Sequence, residues 1–225
     1  MTIKYIQQKY VKYNKGNGYI CGLADALHAT SPAADVYTDK IVENIMLNTR
    51  CAGIISIISR KLADLNRSPN GENDLAIEEY RDALKDILEF LKIVDYERQQ
   101  LIHPYLHLSF HGMKDEHYGP FGIEIGTVRG KSCSPQIRNW FEDTLTKKAQ
   151  QVFPDITLIF DQKFIGHESI SFHRLGDGDR YLGYGPHFHT FQVELSRTLR
   201  KNHHSQISAI FSEIMIDFQN TFVNQ

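Results

Sequence analysis

Four short stretches of this 225-residue chain hold histidines, acids and guanidinium groups at spacings that could grip a metal ion or an anionic ligand. In HATSPAADVYTDK (28–40), His28 is followed by Asp35 and Asp39. Imidazole nitrogen and carboxylate oxygen are both normal zinc ligands. An acid at a helix start also suits the positive end of the helix dipole, which would leave His28 an ordinary loop residue. In ISRKLADLNR (58–67), Arg60 and Arg67 flank Asp64 and Asn66. Such a group makes a fork for a substrate carboxylate: guanidinium for charge, amide for orientation, and an acid to hold an arginine. A surface salt-bridge cluster reads the same way. In HLSFHGM (107–113), His111 ends a β-forming run beside Gly112, where there is room to meet a metal. In PHFHTFQVELSR (186–197), period-two alternation sets His189, Phe191, Val193 and Leu195 on one face and Phe188, Thr190, Gln192 and Glu194 on the other. A carboxylate inside such a run costs several kcal/mol unless it is paired or its pKa is raised. That expense is easier to explain if Glu194 is a general base; on an edge strand with one wet face Glu194 would be ordinary.

Taken together, two histidines and an acid, an Arg/Asn fork and an isolated strand glutamate are the complement of metal-assisted amide hydrolysis. Zinc polarises a carbonyl and acidifies water. The glutamate takes the water proton and returns it to the leaving amine. Arginines position an anionic substrate.

The elements that must position these residues alternate in the α/β manner. Strands are predicted over residues 18–27, 52–59, 104–111, 121–127, 156–160 and 188–195. Helices are predicted over residues 35–49, 74–96, 135–152 and 205–222, with Asp74 as an N-cap. Each chemical cluster then falls at the end of a strand, where open α/β sheets bind ligands. The segment 176–186 holds four glycines and reads equally well as a lid or as a surface connection.

Composition narrows the class. With 41% apolar residues the chain can bury one substantial core, and no composition break divides it, so a single domain over 1–225 is expected. A net charge of -2 offers no general attraction for phosphate backbones or anionic lipid, so neither nucleic acid nor membrane is an expected partner. Three cysteines without a C-x-x-C spacing suit reduced thiols. The first 13 residues have neither the apolar centre of a signal peptide nor a membrane-spanning run, which makes the cytoplasm the expected compartment.

In order and type, these pieces resemble the N-formylglutamate amidohydrolase family, whose fold is similar to that of zinc carboxypeptidases. The resemblance runs from about residue 18 to residue 197. It consists of a strand-end His28, a D-x-x-x-D helix start at Asp35–Asp39, S-R-x-x-x-D-x-N-R over Ser59, Arg60, Asp64, Asn66 and Arg67, a strand-end His111, and H-x-x-Q-x-E over His189, Gln192 and Glu194. It implies a three-layer α/β sandwich with a mixed central sheet, and a zinc ion held by His28, Asp35 and His111, with Asp39 the rival acid. It implies Glu194 as the base, Asn66 and Arg67 on the substrate carboxylate, Arg60 in the same pocket, and His189 and Gln192 lining the site. The family often places an Asp two residues before its second histidine, where this chain has Ser109. The substrate implied is a small carboxylate-bearing amide such as an N-formyl or N-acyl amino acid. Arg60, Arg174 and Arg180 compete to supply a second cationic clamp. Glu124 and Arg129 are expected to form a structural pair. The rival readings are a carboxypeptidase-like enzyme or a hydrolase of γ-glutamyl or cell-wall peptides, marked by a more open pocket, and a binding protein that keeps the fold without turnover.

Overall fold

The computed structural model describes residues 2–178 and 180–224. Its centre is an eight-stranded mixed sheet, in the order β1 (Ile6–Gln7), β2 (Val11–Asn14), β4 (Ala52–Ser56), β3 (Gly22–Ala26), β7 (Tyr105–Gly112), β10 (Phe188–Leu195), β8 (Gly122–Gly126) and β9 (Thr157–Phe160). The middle strands β4, β3, β7 and β10 run parallel, while β2 joins β4 and β8 joins β10 antiparallel. Helices α1 (Thr38–Thr49), α4 (Pro135–Val152) and α7 (His204–Phe218) cover one face. Helix α2 (Asp74–Phe90) covers the other. This is the expected three-layer sandwich. Among the described residues no helix is long and apolar enough to cross a membrane, and Cys21, Cys51 and Cys133 are buried free thiols.

The two sheet faces differ in chemistry, and alternation along each strand explains why. Toward α1, α4 and α7 point Ala24, Ala26, Leu106, Leu108, Phe110, Phe191, Val193 and Leu195, all in one apolar cluster. The intervening residues Asp25, His107, Ser109, His111, Thr190, Gln192 and Glu194 therefore face the α2 side. They are polar and yet buried. The register pairs Glu194 directly with His111 across β7 and β10, so two candidate functional residues meet at the carboxyl ends of adjacent parallel strands.

Several boundaries differ from expectation. Helix α1 begins at Thr38, because Tyr37 adopts φ 75 and interrupts helical backbone. Asp35 thus lies in the loop before the helix. Helix α2 is capped by Asn73 rather than Asp74; the Asn73 side chain donates to Asp64 O (2.9 Å) and Ser68 O (3.2 Å), fastening the 64–73 loop. It ends at Phe90, before the short hairpin β5 (Val94–Asp95) and β6 (Gln100–Leu101). Strands β1 and β2 and the short helices α3 (Asp115–Tyr118), α5 (Ser169–Leu175) and α6 (Arg197–Asn202) carry little periodic signal and were not expected. The Glu124–Arg129 pair does not form. One oxygen of buried Glu124 instead accepts from the backbone N–H groups of Gln162, Lys163 and Phe164.

Candidate metal centre

His28 follows β3, His111 nearly ends β7, and Asp35 is held between them by backbone. Its N–H donates to His28 O (2.7 Å), and its own carbonyl accepts from the Thr38 hydroxyl (2.8 Å). All three side chains are buried. His28 Nδ1 and His111 Nδ1 lie 3.1 Å apart, and Asp35 Oδ2 lies 3.4 Å and 3.6 Å from them. Among the described residues these three form the one group of histidine, cysteine and acid side chains placed to share a metal ion, and Asp39 is outside it.

The outer nitrogens show why this arrangement suits a cation. His28 Nε2 lies 2.6 Å from Asp64 Oδ1, an ionised acceptor, so the ring proton sits on Nε2. Ser109 donates its hydroxyl to Asp25 Oδ1 (2.6 Å) and so accepts from His111 Nε2 (3.1 Å). Both Nδ1 atoms then present lone pairs to each other and to a carboxylate oxygen. The separations of 3.1–3.6 Å bracket the ~3.3 Å edge of a tetrahedron of zinc ligands at about 2.0 Å. The donor set therefore fits zinc. The pocket attracts positive charge in other ways too. Burial disfavours a charged His28, yet the carboxylates of Asp35 and Asp64 outweigh it and raise its pKa. Burial likewise opposes ionisation of Asp35, but the neighbouring His111 and His28 rings and the Arg60 guanidinium hold its carboxyl well below the usual range.

Around this centre the sequence motif is only partly gathered. Arg60 Nη2 bonds the second oxygen of Asp35, so its charge is engaged by a candidate ligand. Asp64 links His28 to the loop: it accepts from the Asn66 N–H (2.9 Å), and Arg67 Nε stands 3.9 Å from its other oxygen. Arg67 is half exposed and anchored on Asn66 O (2.7 Å). Asn66 Nδ2 donates to Gln192 Oε1 (3.1 Å), and Gln192 Nε2 donates to Glu194 Oε1 (3.2 Å). Burial pushes the Glu194 carboxyl up to about 7; nearby Asp35 adds to this, while His111, Arg200 and Arg60 oppose it. His189 is not brought to this group. It lies near the start of β10 on the opposite face, about 16 Å along the strand from Glu194, where it meets the Ser134 N–H (3.3 Å), Arg174 (3.4 Å) and the Phe218 ring. Burial, with Arg174 and His187 nearby, lowers its pKa to about 3.

Of the remaining guanidinium candidates, Arg174 binds the carbonyls of Pro186 and Phe188. Arg180 lines a groove of about 890 Å³ between α2 and the 177–184 loop. That loop is tied to α2 by the Arg81–Asp177 ion pair and by Arg81 over the Tyr181 ring. Asp179, within the glycine-rich segment, lies outside the described residues.

The sequence reading missed Asp25. It is fully buried and accepts from Ser109 (2.6 Å), His107 Nε2 (2.8 Å) and the Tyr80 hydroxyl (2.9 Å). It supplies, through Ser109, the acid that the residue two before His111 lacks. The signal was present, since an acid inside the apolar run CGLADAL is the same anomaly that singled out Glu194.

No family model and no curated protein matches the chain. Solved structures do. The chain is similar to an N-formylglutamate amidohydrolase from Ralstonia eutropha, with TM-score 0.65 at 14% identity, covering 94% of this chain and 97% of that one. It is similar to a gene product of Agrobacterium tumefaciens, with TM-score 0.60 at 14% identity over 95% and 96%. A metallo-carboxypeptidase from Burkholderia cenocepacia gives TM-score 0.50 at 11% identity, over 93% of this chain and 61% of that one. At such identities the likeness is one of fold, and the α/β sandwich is the fold these structures share.

Proposed function

We propose that this chain is a zinc-dependent amidohydrolase acting on a small carboxylate-bearing amide of the N-formyl or N-acyl amino acid kind. The observation that carries the reading is the convergence of His28 Nδ1, His111 Nδ1 and Asp35 Oδ2, each fixed by a partner outside the cluster. The fold likeness to an N-formylglutamate amidohydrolase points the same way.

His28, Asp35 and His111 would hold the zinc, which when bound supplies a Lewis acid and acidifies water. The remaining work belongs to side chains. Glu194, with a carboxyl near neutrality, accepts a proton from the attacking water and returns it to the leaving nitrogen. The Asn66–Gln192 amide chain aims that carboxyl by committing one of its oxygens. Arg67 receives the substrate carboxylate, with Asn66 beside it. Arg60 keeps Asp35 ionised and in place. Zinc-loaded protein should hydrolyse members of an N-acyl amino acid panel, and chelation should abolish the activity. Metal binding without hydrolysis of any panel member would leave a binding protein in place of the enzyme.

A further inference from the structure

Arg200, on α6, is almost wholly buried, and its guanidinium donates to three backbone carbonyls: Leu195 (from Nε, 3.1 Å), Val36 (from Nη1, 2.7 Å) and Met113 (from Nη2, 3.2 Å). The three acceptors come from distant parts of the chain, and each adjoins a segment described above. Leu195 follows Glu194, Val36 follows Asp35, and Met113 lies two residues past His111. The planar fork thus bolts the Asp35 loop onto the carboxyl ends of β7 and β10. A lysine, with one compact ammonium, cannot reproduce this geometry.

Two further observations fit the same role. The Asp35 loop needs an external tie, because Ala33 (φ 65) and Tyr37 (φ 75) hold it in backbone that non-glycine residues seldom adopt. Gly112, directly after His111, leaves the space that the guanidinium fills: a Cβ there would stand 2.4 Å from Arg200 Cζ.

We infer that Arg200 is a positioning residue for the metal centre, holding the loop that presents Asp35 in register with the strand ends that present His111 and Glu194. Its bearing on metal rests on the zinc reading; its hold on the loop does not. The test is amide hydrogen exchange on the metal-free full chain, comparing wild type with Arg200→Lys and Gly112→Ala, alongside zinc affinity by chelator competition. The second variant displaces the guanidinium without removing it, and so serves even if the first does not fold. Exchange at the Asp35 and Thr38 amides should rise about tenfold in both variants, while amides of β3 and α4 keep their protection. Zinc affinity should fall by about 10–100-fold. Unchanged exchange at those two amides overturns the inference, as does an equal rise throughout the chain, which is the mark of lost global stability. Wild-type protein that takes up no zinc would count against the metal reading alone, and the exchange result would still decide the role of Arg200.

Discussion

Glu194 and Ser109 separate two tasks that the site needs, proton transfer and ligand orientation. The Glu194 carboxyl lies on the polar face of β10, with one oxygen committed to Gln192. Glu194→Gln keeps the shape and that hydrogen bond but cannot accept a proton. Zinc content and melting temperature should stay at wild-type values while turnover falls by about 10²–10⁴. A variant that keeps full activity rules out Glu194 as the base. Ser109 passes the charge of Asp25 to His111 Nε2. In Ser109→Ala that proton loses its acceptor, and His111 is free to take the other tautomer. Zinc affinity, read by chelator competition, should weaken by about 10–100-fold, with the fold retained. An unchanged zinc Kd would make the Asp25–Ser109 relay purely structural.

Strand β10 shows how one element serves both core and site. Its Phe191 stacks on Phe141 of α4, with centroids 3.9 Å apart and planes 10° from parallel. Its Gln192 and Glu194 face the metal centre. Phe141→Ala should therefore cost about 3–5 kcal/mol of stability, read by denaturant unfolding, yet leave the zinc Kd of the folded protein unchanged. Loss of metal affinity in step with stability would mean that the two faces are coupled. Alternation also explains what the sequence made legible. The period of β10 placed Gln192 and Glu194 on one face, and the strand-end positions of His28 and His111 supplied the histidine pair. Asp35 was legible as a residue but not as a loop residue, because nothing local announces the positive φ of Tyr37. His189 was misleading because its motif neighbours Gln192 and Glu194 point the other way. Arg200 was illegible, since all three of its partners are main-chain carbonyls, which carry no residue-type signal.

At the scale of the whole molecule, buried neutral histidines contribute stability that acid removes. Burial is the main cause that lowers the pKa of His189 to about 3 and that of His173 well below its ordinary value. For a depressed histidine, the unfolded chain binds more protons than the folded one below pH ~6.5, so stability is complete above that pH and falls as pH drops toward the folded pKa. The His189 share of the unfolding free energy should fall by about 2 kcal/mol between about pH 7 and about pH 5. His189→Gln should remove one share of that slope in denaturant melts; an identical slope in the variant would contradict the burial of a neutral imidazole.

The proposed chemistry rests on the two histidines and one acid that the sheet and the Asp35 loop bring within reach of a single ion. The most direct measurement is the metal content of purified protein by elemental analysis, for wild type, His28→Ala and His111→Ala. One zinc per wild-type chain, lost in both variants while their folds persist, is the expected result. Wild-type protein that holds no zinc and takes none up when it is added would contradict the zinc-dependent reading at its centre.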